Sequence, residues 1–399
     1  MKILWVKANR LLPLHSGGDI RSFHIMRGLS SRHEVTFLSY YDGAADEKYE
    51  AELRNQFPSA LAICTGKSGA FVSRSVDYLR TLPSPAPYAV SRFASSLVKE
   101  KIKALLKTGG FDVAVADFLD AAVNFPDEIQ IPAILFQHNV ESEIWRRHAA
   151  TEANPAKRIM YQFEFKKMLR YEQTAVRNFQ HVIAVSAHDR ELMLPWTADG
   201  PITVVPTGVD VKQYRPDSID PDPAPLVIFI GAMDWEPNID GAEFFCREIW
   251  DLVVAKVPDA RFCIVGRNPD RRVRQLAFSS IDVTGRVPSV VDYLRKAAVV
   301  IVPLRIGGGT RLKIYEAMAA GKAVVSTTIG AEGLDVSPGS DILIADDPRD
   351  FADVVVSLLK DRELRRRYER AASETAGKYD WSVIAAKFGE VLASVAGNA

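Results

Sequence analysis

The sequence predicts an α/β protein made of two doubly wound parallel-sheet domains, and three observations carry that expectation. At 399 residues the chain is too long for one ordinary core. Apolar, strand-like runs alternate with segments of helical spacing through both halves. Between the halves, around residues 200 to 225, "GPITVVPTGVDVKQYRPDSIDPDPAPL" is dense in proline, aspartate and glycine, the texture of a linker.

The composition narrows the class. With 47% hydrophobic and 25% charged residues the chain has the makeup of a soluble globular protein. Its 50 basic residues balance its 50 acidic ones, so no global field points to nucleic acid. Cys64, Cys246 and Cys263 lie far apart without metal-ligand spacing, which fits a reduced compartment. The opening apolar run is too short for a signal peptide or a span, and no run of spanning length follows. A cytoplasmic location is expected.

In the first half, "KILWVKA" reads as a buried strand, and Ile20, Phe23, Ile25, Met26 and Leu29 give "GGDIRSFHIMRGLSSRH" helical spacing. "EVTFLSYY" completes a strand–helix–strand unit of a parallel sheet. "FDVAVAD", preceded by the helical "SSLVKEKIKALLKTG", then "IPAILFQHN" and "HVIAVSAHDRELM" continue it. The long charged stretch from Glu141 to Phe179 is helical in period and broken near Pro155. In the second half come the strands "LVIFIGAM", "ARFCIVG", "IDVTGRV", "AVVIVPL" and "DILIAD". Helices are expected through "GAEFFCREIWDLVVAKV" and "SVVDYLRKA", with two more at the end. Two such sheets imply a cleft, and ligands bind outside the carboxyl ends of the strands.

One stretch speaks of chemistry. "LRIGGGTRLKIYEAMAAGKAVV" sets Gly307, Gly308 and Gly309 between a buried strand and a helix beginning near Thr310. A helix amino terminus offers unpaired N–H groups and partial positive charge, and glycines let an anion approach the main chain. Thr310 can cap the helix. Arg311 and Lys313 sit in the first turn, where the macrodipole disfavours cations, so a bound anion would compensate them. A plain glycine turn with solvated basic residues is the competing explanation. The spacing is neither a Walker loop nor a dinucleotide fingerprint.

At this point "KIYEAMAAGKAVVST" resembles the carboxyl-terminal signature of family 4 glycosyltransferases. "HSGGDIRSFHIMRGL", "VIAVSAHDRELM" with "ITVVPTGVDVKQYRP", "VIFIGAMDWEPNIDG", "VTGRVPSVVDYLRKAAVVIVPL" and "KYDWSVIAAKFGEVL" match the family in order. The resemblance implies a GT-B fold: two Rossmann-like domains facing a central cleft. Residues 1–205, completed by 380–399, would bind the acceptor, and residues 206–379 the donor. It also implies a retaining transferase using a nucleotide-diphosphate sugar as co-substrate, with no cofactor and no metal. The segments from Pro206 to Pro225 and Tyr379 to Trp381 would be hinges for closure.

By the same resemblance Glu316 accepts the ribose hydroxyls, Gly309 to Lys313 receive the diphosphate, and Val287 meets the base. Gly231, Arg267 and Leu312 complete the expected donor set. Two places depart from the family pattern. Gly308 stands where a second glutamate is usual, and Ala232 and Asn238 stand where an arginine and a lysine are usual. Arg311 and Lys313 are expected to supply the missing charge. Asp234 or Glu332 would take over part of the sugar contact. The chain is similar to a subset of the family that carries a GGGTRLK-type loop.

In the first half, His138 resembles the family histidine near the donor sugar. Gly17, Gly18, Asn139 and Glu141 are acceptor-side candidates. Basic residues Arg146, Arg147, Lys157, Arg158, Lys166, Lys167, Arg170 and Arg177 interleave with Trp145, Ile159, Met160, Phe163 and Met168. That pattern suits either a peripheral membrane face or an ordinary solvated helix. Partners expected are the donor and a saccharide or lipid-linked acceptor, not nucleic acid. Two other functions stay open: a nucleotide-sugar epimerase on the same fold, and a non-catalytic sugar-nucleotide-binding protein.

Overall fold

A computed structural model describes residues 1–66, 78, 84, 86–152, 154–197, 200–215, 223–306 and 311–397. The chain forms two compact units, Met1–Pro206 with Ile384–Ala399, and Thr207–Val383.

The described residues of the first unit build a seven-stranded sheet in the order β3-β2-β1-β4-β5-β6-β7. The strands are β1 (Lys2–Ala8), β2 (Glu34–Tyr41), β3 (Leu61–Cys64), β4 (Val113–Asp117), β5 (Ala133–Phe136), β6 (His181–Ala184) and β7 (Ile202–Val204). All pair in parallel. The interior of β1 and all of β4 and β5 are buried, as expected for strands covered on both faces. The helix Gly17–Ser30 opens with a capping box, Ser16 and Asp19 each accepting the other's backbone N–H. Gly17 and Gly18 are its first two residues. The break near Pro155 separates helices Glu141–Thr151 and Pro155–Asn178.

The described residues of the second unit build a six-stranded parallel sheet in the order β10-β9-β8-β11-β12-β13. Its strands are β8 (Leu226–Ile230), β9 (Arg261–Val265), β10 (Ile281–Gly285), β11 (Val299–Val302), β12 (Ala323–Ser326) and β13 (Leu343–Ile344). The order reverses between β8 and β11, where ligands of doubly wound sheets collect. The helix after β8 starts at Glu236, earlier than its apolar pattern suggests, with Pro237 in its first turn. It passes through a π-helical segment, Phe245–Ile249, into Trp250–Lys256. Phe245, Trp250, Phe262 and Phe351 pack edge to face and tilted in the core of this unit.

After β13 the described residues carry three helices where the sequence suggests two: Pro348–Lys360, Arg362–Lys378 and Trp381–Gly397. The extra break is at Asp361, which ends one helix and caps the next by accepting the Leu364 N–H at 2.9 Å. From Ile384 onward the last helix belongs to the first unit. There Phe388 packs on Trp5 and Phe136, ring centroids 5.3 and 5.0 Å apart. No helix among the described residues is long and apolar enough to cross a membrane.

Candidate functional site

In the second unit the loop leaving β8 meets the start of the helix Leu312–Ala319. Lys313 Nζ donates to Asn238 Oδ1 at 2.7 Å, and Asn238 Nδ2 donates to the Ala232 carbonyl at 2.9 Å. Asn238 is 2% exposed. A lysine in its place would be held beside the Lys313 ammonium at a buried site, so the neutral amide and the helix lysine fit together. Gly231 makes room for both. A Cβ there would stand 2.6 Å from Asn238 Nδ2 and 2.9 Å from Lys313 Nζ. Gly266, at the end of β9, makes room in turn for Gly231, because its Cβ would lie 1.6 Å from the Gly231 carbonyl oxygen.

Burial, with Arg311 alongside, pushes the Lys313 ammonium down to about 7, Glu316 pulling the other way. The ammonium also sits over the Phe229 ring, 4.8 Å from its centre. Arg311 is 5% exposed, and its guanidinium lies 5.4 Å from the centre of the Trp235 ring. Arg311 occupies the N-cap position and the helix runs from Leu312, close to the start that the sequence suggests. The roles expected of Gly307, Gly308, Gly309 and Thr310 lie outside the described residues.

One turn further along, burial raises the Glu316 carboxyl above its ordinary range, against a hydrogen bond from Tyr214 and the charge of Lys313. The remaining donor-side candidates follow strands of the same sheet. Arg267 is exposed after β9, its carbonyl accepting the Met233 N–H at 3.0 Å. Asp234 is exposed and accepts from Asn268 Nδ2 at 2.9 Å. Val287 follows β10 and Glu332 follows β12, both half-buried. Since all strands are parallel, these positions share the carboxyl edge with the Lys313 cluster.

The first unit carries its own polar cluster at the carboxyl ends of β1, β4 and β5. His138 Nε2 lies 2.6 Å from Asp117 Oδ1, and its Nδ1 lies 2.8 Å from Arg21 Nη1. A guanidinium only donates, so Nδ1 accepts and the ring proton sits on Nε2, given to Asp117. Burial holds the imidazole below its ordinary range against the pull of Asp117. Burial alone would raise the Asp117 carboxyl, but Lys7 and His138 outweigh it and keep it ionised. Trp5 Nε1 donates to Asp117 at 2.9 Å, and Lys7 pairs with Asp19 at 3.5 Å. His138 is thus a neutral ring with both nitrogens engaged.

A Cβ on Gly18 would stand 3.6 Å from His138 Nδ1, so the helix start does approach the histidine. Gly17 is exposed beside it. Asn139 hydrogen-bonds the Glu141 carboxyl, which burial raises above its ordinary range. Glu172, reaching over from Pro155–Asn178, accepts the N–H groups of Glu141 and Ser142 at 2.9 and 3.1 Å and caps Glu141–Thr151. The basic stretch divides differently from its sequence pattern. Met168 is buried and Arg146 and Arg147 pair with Glu143, whereas Ile159, Met160 and Phe163 are exposed.

Asp117, Arg21, Trp235 and Tyr214 are neighbours of the candidate residues that sequence reasoning misses. Asp117 has a signal, a carboxylate closing an otherwise apolar strand, and so does Arg21, a cation on the apolar face of its helix. Among the described residues no group of three or more His, Cys, Asp or Glu side chains could hold a metal ion.

Comparisons with known proteins define the class. Residues 16–213 match the family described as Glycosyltransferase Family 4, and residues 224–361 match Glycosyl transferases group 1. The chain belongs to the group 1, family 4 glycosyltransferases, enzymes of the GT-B fold. Phosphatidyl-myo-inositol mannosyltransferase of Mycolicibacterium smegmatis is 30% identical over 203 residues, 48% of this chain and 52% of that protein. The match spans about half the length of that relative. Sucrose-phosphate synthase from Thermosynechococcus elongatus has the same fold, with a TM-score of 0.71 and 16% identity over 100% of both chains. Anabaena HepE in complex with UDP and glucose superposes with a TM-score of 0.66 at 14% identity, over 99% of this chain and 100% of that one.

Proposed function

We propose that the protein transfers a sugar from a nucleotide-diphosphate donor to a hydroxyl of a glycan, a lipid-linked saccharide or a small acceptor, with retention and without a metal. The observation that carries this reading is the half-buried Lys313 ammonium held by the buried Asn238 beside the buried Arg311, at the start of a helix and the switch point of its sheet. A half-buried ammonium whose hydrogen bond goes to a neutral amide suits an anion that arrives with the substrate. Arg311, Lys313 and the backbone from Gly309 would take the diphosphate, and Glu316 the ribose. Gly231, Asp234, Asn238, Arg267, Val287 and Glu332 would border the donor.

In the reaction the bond from the anomeric carbon to the diphosphate oxygen breaks, and the acceptor oxygen bonds to the same face. The acceptor proton passes to the departing phosphate oxygen. This suits His138, since a ring engaged at both nitrogens is a poor proton acceptor. Charge developing on the leaving group is met by Arg311 and Lys313 in place of a divalent ion. Gly17, Gly18, Asn139 and Glu141 would border the acceptor. A lipid-linked acceptor is favoured by the named lipid substrate of the mycobacterial relative, and by the exposed Ile159, Met160 and Phe163 among Lys157, Arg158 and Lys166. Peripheral contact with the cytoplasmic face of a membrane would follow.

Calorimetric titration with UDP, GDP, ADP and TDP in the presence of EDTA tests the reading. Micromolar binding of one nucleotide, lost in Gly231→Val, is the expected result. Binding of none, or binding that survives that substitution, would remove the site from Lys313.

A further inference from the structure

Glu316 has a partner that its own helix does not supply. The Tyr214 hydroxyl donates to its carboxylate from the short helix Val211–Tyr214, far back in the chain. That helix is held from two directions. Asp210 caps it by accepting the Gln213 N–H at 2.9 Å, and Asp380 accepts the Val211 N–H at 3.3 Å. Just before it, Val209 exchanges backbone hydrogen bonds with Tyr379 and Trp381, at 2.8 and 3.1 Å. A Cβ on Gly208 would run into the Trp381 ring at 2.5 Å, so the two strands of chain lie in close contact. Tyr379 then stacks on Tyr315, the neighbour of Glu316, with ring centres 4.5 Å apart and planes 14° from parallel. Its hydroxyl donates to Asp335 at 2.6 Å, and the Asp335 N–H donates to the Tyr315 hydroxyl at 3.2 Å. Tyr214 is thus delivered to Glu316 by a braced segment.

We propose that Tyr214 is the positioning residue for ribose recognition, its phenol holding one part of the Glu316 carboxylate so that the remaining lone pairs face the two ribose hydroxyls of a nucleoside diphosphate. The inference rests on the reading of Glu316 as the ribose acceptor. Phenylalanine would fill the same space, so packing alone does not require the hydroxyl. A carboxylate must stay ionised to accept two hydroxyl donors, and burial works against that here. Tyr214 and Lys313 work for it. The other charges in this group are Arg311, beside Lys313, and Asp210, beside Tyr214.

The sign of the pH effect follows. Removing the phenol donor raises the Glu316 carboxyl further, so the variant loses its ionised form at a higher pH than wild type. Affinity for a ribonucleotide should then fall mainly on the acid side. A hydrogen bond to a charged group is strong enough to move the carboxyl by about one pK unit or more, a factor of about ten in affinity.

The test is titration of UDP and GDP into wild type, Tyr214→Phe, Glu316→Gln and the double variant between pH 5.5 and 8. The titrations of the nucleotide and of Lys313 are shared within each pair, wild type with Tyr214→Phe and Glu316→Gln with the double variant, and cancel in those two ratios. Tyr214→Phe should bind more weakly than wild type by a ratio that widens as the pH falls from 8 to 5.5, with about tenfold as its limit on the acid side. In the Glu316→Gln background it should add nothing. A loss that is equal at every pH, or that persists in the Glu316→Gln background, would overturn the inference and leave Tyr214 a packing residue. The ribose reading has its own control, the 2′-deoxy nucleotides. If wild type binds them as tightly as UDP or GDP, or binds neither ribonucleotide, the role of Glu316 fails and takes the inference with it.

Discussion

Lys313 and Asn238 explain each other. Asn238 supplies a carbonyl oxygen to a half-buried ammonium, and its neutrality spares that ammonium a further cation besides Arg311. The same burial has a measurable consequence. A lysine held down to about 7 is largely neutral at pH 8, and the proposed diphosphate beside it would restore the charged form. On the proposed reading the free site would be ready for an anion below about pH 7, and above it binding would draw a proton from the buffer. Titrating the nucleotide that binds at pH 8, in buffers of different ionisation enthalpy, should show uptake approaching one proton. Lys313→Met should abolish the uptake along with most of the affinity, and an uptake retained in that variant would assign the proton elsewhere. At this scale the sequence is informative where a motif is local. Glu316, Arg311 and Lys313 lie within one short stretch and can be read together. Tyr214 and Glu316, or Arg21 and His138, meet only through the fold, and nothing in their own neighbourhoods in the chain announces the pairing.

The helix Pro155–Asn178 shows what an amphipathic pattern can and cannot say. The sequence offers Trp145, Met168 and the exposed residues as one apolar face. In the structure Met168 and the carboxylates of Glu164 and Glu172 turn inward, Glu172 serving as a cap for the helix before it. What stays outside is the first half of the helix, with Ile159 67% exposed, Phe163 43% exposed and Lys167 over the Phe163 ring. A buried glutamate on a helix reads in sequence as a solvated one, because the donors that satisfy it come from another element. The exposed turn gives a direct expectation. The protein should sediment with vesicles rich in phosphatidylglycerol at low salt, and Ile159→Ser with Phe163→Ser should weaken that binding by about tenfold or more. Equal sedimentation of the double variant would leave the patch as an ordinary solvated surface.

For the whole molecule, the alternation of apolar runs is enough to expect two parallel sheets, since parallel strands need crossover helices and read as continuous apolar runs. The end of the chain is harder. The last helix is apolar over much of its length, but the partners of Phe388 are Trp5 and Phe136, on the two strands that flank the central β4 of the first sheet. Gly28 allows that approach, a Cβ there falling 2.3 Å from the Ala385 Cβ. The first unit is consequently finished by residues that follow the second. Phe388→Ala should cost the first unit about 3–5 kcal/mol of stability, read as an earlier denaturant transition, while nucleotide affinity is retained. A single unchanged transition would mean that the terminal helix contributes little to that core.

Gly266 offers a last lesson. It touches no proposed ligand, yet any side chain there displaces the carbonyl of Gly231 and with it the seat of Lys313 and Asn238. In a genetic screen for loss of transfer, substitutions at Gly266 should be recovered alongside those at the charged residues. A suppressor would have to rebuild the loop after β8, because no change to the substrate could relieve the collision.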